Sequence, residues 1–176
     1  GTYVNKQIYD INWDNKSPIY EYLNKSNENI LFENKPCGII IDNGSYEARA
    51  GFSNFIEPNI RIKSLVSKSK SSTNTTNFLI GNDLTGIEQA KLQKKTPFEK
   101  NIVTHFGTQE HIFDYLFNSL LDKKSSSIDF PIIITEPLLN LNWSRKNITE
   151  MMFELYSVPK LSYGIDFMFS YKNNIK

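Results

Sequence analysis

The 176-residue chain has an apolar fraction of 39% against 22% charged residues, enough to bury one real core. Its formal charge of +1 gives no electrostatic reason for the domain itself to bind nucleic acid or an acidic membrane. Cys37 is the only cysteine, which excludes an internal disulfide and a thiolate metal cluster and fits a reducing compartment. No apolar run approaches the roughly 20 residues a membrane helix needs. With Gly-Thr at its start and no basic-then-apolar leader, the chain is expected to be a trimmed piece of a soluble intracellular protein. The Asn-x-Ser/Thr triplets, such as Asn74-Thr75-Thr76 and Asn147-Ile148-Thr149, are those expected by chance in an Asn-rich chain rather than glycosylation sites.

Residues 1–35 are polar and Asn/Lys-rich, with scattered Tyr9, Trp13, Tyr20 and Tyr22, and show no helical or strand period. They are expected to form a poorly ordered extension. From Pro36 the pattern changes. "CGIIID" predicts a buried strand, Asn43-Gly44 a turn, and "YEARAGF" an alternating second strand, with a third at 59–66. The run "SKSKSSTNTTN" at 67–77 has nothing to bury and predicts a loop or disordered segment. A short strand "FLIG" and a helix from Asp83 to about Lys95 follow, and together these make a small lobe interrupting the main one.

The next helix is predicted to begin near Thr108, as its N-cap, because Ile112, Phe113, Leu116, Phe117, Leu120 and Leu121 form one face at helical spacing. "FPIIITE" is the continuous apolar run of a strand buried on both faces. A helix over 144–156 follows, with Ser144 as N-cap, Ile148, Met151, Met152 and Leu155 on its apolar face, and Pro159 ending it. "KLSYG" predicts a strand and "IDFMFSY" another helix. Strand, helix and strand in this order predict a crossover with parallel neighbours. The fold class is therefore α/β, a mixed sheet with helices on its faces.

Three ordered motifs carry a family resemblance. "IIIDNGSYEARAGF" resembles the first phosphate loop of the actin family, "PFEKNIVTHF" the segment entering its first long helix, and "FPIIITEPLLNLNWSRKNITEMMFELYSVPKL" its Thr-Glu strand, loop and following helix. The resemblance runs over about residues 36–174 and implies the actin-like, ribonuclease H-like fold, N-terminal half only. Subdomain 1 would be residues 36–66 and 97–176, and subdomain 2 the insert at 67–96, with a disordered polar loop at about 67–77. Within the family, the Gly-Ile-Asp of "YGIDFMFSY" and the aromatic after Asn-Gly-Ser resemble the fifth class of nuclear actin-related proteins.

That resemblance implies a nuclear subunit of a Snf2-type chromatin-remodelling complex, meeting other subunits directly and the nucleosome indirectly, with ATP or ADP and Mg²⁺ as cofactors. The alternative is a cytoplasmic, filament-forming actin ATPase. A sugar or acetate kinase of the same ancestral fold would share the phosphate loop but not the other two motifs. Asp42 matches the carboxylate near the nucleotide-bound cation; otherwise it is an Asp capping its own turn. Gly44, Ser45 and Tyr46 match the turn whose amides face the phosphates. Tyr46 stands where conventional actin has glycine, so a phenol there is expected to crowd or cover the terminal phosphate.

Arg49 matches the phosphate-contacting lysine; otherwise it is an exposed residue on an alternating strand. Asp166 replaces a glutamine that orients the attacking water, where a carboxylate would coordinate the metal indirectly or repel phosphate; otherwise it is an Asp favoured at a helix N-terminus. Tyr46 and Asp166 both imply weak or absent hydrolysis, and no catalytic residue is assigned. His105 and His111 are expected to be surface or satisfied histidines, and Met151 and Met152 core. The chain stops before the family's second phosphate loop and adenosine pocket, so this stretch alone is expected to bind ATP weakly or not at all. The polar 67–77 run, lacking an apolar plug, makes filament contact unlikely on the family's pattern.

Overall fold

The computed structural model describes residues 37–70, 76–84, 92–121 and 128–175. The extension expected at 1–35 lies outside them. A five-stranded mixed sheet is the frame, built from β1 (Ile39–Asn43), β2 (Glu47–Phe52), β3 (Ile60–Lys63), β9 (Ile132–Glu136) and β10 (Leu161–Ile165). Its order is β10-β9-β1-β2-β3. β1, β2 and β3 form the antiparallel meander, while β9 pairs parallel to β1, and β10 parallel to β9.

Between β3 and β9 lie a second sheet and a hairpin. β4 (Val66–Lys70) pairs antiparallel with β5 (Thr76–Ile80) and with the two-residue β6 (Lys94–Lys95). Of the 67–77 run expected to be structureless, 67–70 belongs to β4 and 76–77 opens β5, and only 71–75 lies outside the described residues. A sheet supplies what the composition concealed: Ser67 is buried, and its hydroxyl donates to the Gln93 carbonyl at 3.0 Å. The helix expected from Asp83 to Lys95 also differs at both ends, with a 3-10 turn at Gly81–Asp83 and strand at Lys94–Lys95. Residues 85–91 lie outside the described set. Gly81 sits at φ +56°, with the Ile62 Cβ 2.9 Å from where a side chain would start, so glycine is required there.

β7 (Phe98–Glu99) and β8 (Ile102–Val103) form a hairpin across Lys100 and Asn101, both at positive φ, as a two-residue turn of the primed type demands. Helix α1 (Phe106–Leu120) starts two residues before the expected cap. His105 precedes it, and its carbonyl accepts from the Thr108 and Gln109 amides at 3.1 and 3.0 Å. Helix α2 (Asn142–Glu150) runs into a wide π-type turn, Met151–Leu155, and α3 (Asp166–Asn174) follows β10 directly. Ser144 is not the cap of α2. It is buried, and its hydroxyl donates to the Val103 carbonyl at 2.9 Å, a tertiary bond that outcompetes the local one.

The core lies between one face of the sheet and helices α1 and α2. Ile39, Ile41, Ala48, Ala50, Ile62, Ile132 and Ile134 meet Ile112, Phe113, Leu116 and Phe117 of α1, with Ile148 of α2 and Met152 of the turn after it. Tyr156 closes the end, its ring 4.8 Å from that of Phe117 and its hydroxyl donating to Asp114 at 2.9 Å. Met152 is fully buried and Met151 packs against the cluster. The expectation that β9 is buried on both faces is not met. Ile133 and its neighbour Ile40 on β1 are 39% and 41% exposed, because the described residues cover only the other face. No residue of α3 is buried.

Candidate phosphate-binding site

The turn between β1 and β2 is held in place by contacts from two other segments. Its first residue, Gly44, has the Glu47 carbonyl oxygen 2.6 Å from where a Cβ would stand, a distance only glycine tolerates. The Gly44 carbonyl accepts from the Ser64 hydroxyl at 2.6 Å, and the Tyr46 carbonyl from the Ser64 amide at 3.0 Å. Ser45 donates its hydroxyl to Asn101 Oδ1 at 2.7 Å, so the β7–β8 turn braces the loop from the side. Outside the hairpin's own ladder, the amides of Gly44, Ser45 and Tyr46 meet no acceptor among the described residues. Carbonyls engaged and amides left over is the arrangement an anion-binding nest needs.

Asp42 sits just before the turn, half-buried. Its Oδ1 accepts from the Thr135 hydroxyl of β9 at 2.8 Å, and that hydroxyl accepts from the Asn43 amide at 3.0 Å. The carboxylate is therefore fixed from the neighbouring strand rather than by capping its own turn. Behind it, Gln109 of α1 is fully buried and donates Nε2 to Asn43 Oδ1 at 3.1 Å. A polar residue in the apolar stripe of a helix is the signal that marked this position, and the stripe's hydrophobic members drew attention from it.

Arg49 stands directly opposite Asp42 in the hairpin register. Its Nε donates to Glu47 Oε1 at 2.6 Å, and its terminal nitrogen is 4.0 Å from Asp42 Oδ2. That hydrogen bond to Glu47 is the main reason the guanidinium is held still more firmly protonated than usual. Arg49 is exposed, as an alternating strand requires, yet it is engaged. Tyr46 is 78% exposed, its phenol on the outside of the turn. Sequence reasoning missed Glu47, although its i, i+2 spacing from Arg49 puts both on one face of a strand.

Asp166 opens α3 just past the same end of the parallel strands, and Gly164, two residues before it, is in register with Thr135. The Asp166 Oδ1 accepts from the Phe167 amide at 2.6 Å, and Asp166 is exposed, with no hydrogen bond or ion pair to Asp42 among the described residues. The turn thus gathers Asp42, Gly44, Ser45 and Arg49, whereas Asp166 stands apart from them. His105 is exposed and 3.3 Å from Glu99, and His111 stacks on Phe78 with ring centres 4.0 Å apart. Neither belongs to the turn. Among the described residues, no group of His, Cys, Asp and Glu has the geometry of a metal cluster.

A separate network shapes the loop after β9. Glu136 is buried, and both nitrogens of the Arg145 fork donate to it, along with Asn140 Nδ2 at 2.9 Å. Burial alone would raise this carboxyl, but the hydrogen bonds from Arg145 and Asn140 outweigh it and hold it below the usual range.

The order of these parts can be set against known proteins. The family model described as Actin matches residues 34–173. This chain belongs to the actin family. It is 39% identical over 153 residues to Actin-related protein 5 of Drosophila melanogaster, covering 77% of this chain and 24% of the fly protein. It is 40% identical over 156 residues to Actin-related protein 5 of Dictyostelium discoideum, covering 89% and 22%, and 30% identical over 145 residues to that of Homo sapiens, covering 79% and 24%. The chain spans about a quarter of these relatives' length. No described helix is long and apolar enough to cross a membrane.

Proposed function

We propose that this chain is the N-terminal part of a nuclear actin-related protein that serves as a structural subunit of a chromatin-remodelling complex, with a phosphate turn that holds nucleotide without hydrolysing it well. The similarity to proteins named Actin-related protein 5 supports the assignment to this branch. The observation that carries the functional reading is the state of the turn. Gly44 keeps it tight enough for backbone amides to reach a phosphate, while its one guanidinium is held by Glu47.

The residues present fit the phosphate end of ATP with Mg²⁺. A tight glycine turn with three amides lacking acceptors outside the hairpin suits an anion. Asp42, fixed by Thr135 on one oxygen, would reach a hydrated Mg²⁺ through water with the other. When bound, the nucleotide supplies a polyanion whose charge ties the turn to the rest of the protein. Ser45 and Ser64 keep the turn in shape, and Asp42 holds negative charge near the cation. Asp166, exposed and hydrogen-bonded to its own helix, lacks the amide donor with which a glutamine would hold an attacking water in place, which favours a scaffold over a hydrolase.

The test is purification of the tagged full-length protein from nuclear extract, followed by identification of its stable companions. A Snf2-type ATPase in stoichiometric amount is the expected result. Recovery as a cytoplasmic polymer without that ATPase would favour a filament-forming actin and overturn the proposal.

A further inference from the structure

On the solvent side of the β1–β2 hairpin, two carboxylates bracket one guanidinium. Asp42 is its cross-strand partner and Glu47 lies two residues away on the same strand face. The other cations nearby do not offset this. Arg61, opposite Arg49 on β3, is paired to Glu57 at 2.7 Å, and Lys63, opposite Glu47, closes no ion pair with it among the described residues. A phosphate arriving at the turn therefore meets a cation whose Nε is already donating, flanked by two negative charges.

We infer that Glu47 is a built-in competitor for phosphate, occupying the guanidinium of Arg49 and setting the affinity of this protein for nucleoside di- and triphosphates. The inference rests on the phosphate-turn reading above. A guanidinium binds carboxylate and phosphate through the same fork of donors, so the two acceptors exclude each other at Nε. Glu47 has the advantage of being covalently tethered and correctly spaced. The Glu47–Arg49 pair is solvent-accessible, with side chains 28% and 46% exposed, so the competition is reversible displacement and not a permanent block.

The experiment uses the full-length protein and titrates Mg-ATP, with adenosine as a phosphate-free control, by calorimetry. The variants are Glu47→Gln, Glu47→Met, Arg49→Met and Glu47→Gln with Arg49→Met, each checked by thermal melting. Removing the charge at position 47 is expected to tighten ATP about threefold, to leave adenosine unchanged, and to lose most of its effect in the Arg49→Met background. The gain should shrink in high salt, since the pair is exposed. If Arg49→Met weakens ATP while neither Glu47 variant changes it, the phosphate-turn reading stands and this inference falls. If Arg49→Met has no effect in any background, the phosphate-turn reading falls and takes the inference with it.

Discussion

Thr135→Val tests whether the β9 hydroxyl fixes the carboxylate beside the turn. The hydroxyl donates to Asp42 Oδ1 at 2.8 Å and accepts from the Asn43 amide at 3.0 Å, so the substitution removes two bonds while keeping the side-chain shape. Asp42 is half-exposed and recovers hydration, so its share is about 1 kcal/mol. The Asn43 amide is part-buried and left without that acceptor, at a cost of about 1–2 kcal/mol. The expected loss is about 2–3 kcal/mol in a urea unfolding experiment. Thr135→Ser, which keeps the hydroxyl, should lose less than about 1 kcal/mol. Equal losses for the two variants would mean that the methyl group and its packing matter and the hydroxyl does not, and would refute the reasoning.

Arg145→Met leaves Glu136 buried with only Asn140 as a partner, and should destabilise by about 2 kcal/mol, less than for a fully buried pair because Arg145 is half-exposed. Because the Glu136 carboxyl is depressed in the fold, its contribution is present above the unfolded value of about 4.3 and is lost as pH falls through the folded value. Glu136→Gln should flatten unfolding free energy across that acid window. His111 is pushed down by burial and then by the charge of Lys68, so folding must expel a proton below the unfolded value of about 6.5. Stability should therefore fall as pH drops from about 6.5 toward the folded value, a slope that His111→Phe abolishes if the assignment is right and leaves intact if it is wrong. The isolated 176-residue stretch should bind a hydrophobic dye through Ile40, Ile133, Phe167 and Phe169, and Ile133→Thr with Phe169→Ser should lower the signal. An unchanged signal would place the dye elsewhere.

Part of the sheet was legible because β1 and β9 are written in isoleucine runs, where strand propensity and burial agree, and both appear as paired strands. β2, with no β-branched residue, was legible only from its alternation and the turn before it. Helix caps were legible only where local and tertiary demands coincide. Ser144 looks like a cap but bonds across the fold to Val103, and Thr108 lies inside a helix that His105 precedes. Polar strands were hidden for a different reason. Ser67 and its neighbours on β4 and β5 form a ladder with backbone groups, to which composition is blind.

At the candidate site, the sequence pointed to Asp42, Gly44, Ser45, Tyr46 and Arg49, which carry their types and spacing in one short motif. Thr135, Gln109 and Asn101 come from 56 to 93 residues away along the chain from their partners at the turn, and only the folded register shows that they converge on it. Glu47 was in view throughout, but a charged residue on an exposed strand reads as solubility until its distance to Arg49 is known. The exposure of Ile133 is likewise unreadable from its own segment, because burial of a strand's second face depends on what lies over it.

The most direct test of the scaffold reading is phosphate release from Mg-ATP by the full-length protein under salt conditions that polymerise conventional actin. The account predicts release no faster than in a protein-free control. Sustained release accelerated by polymer formation would contradict it and establish a filament-forming ATPase instead.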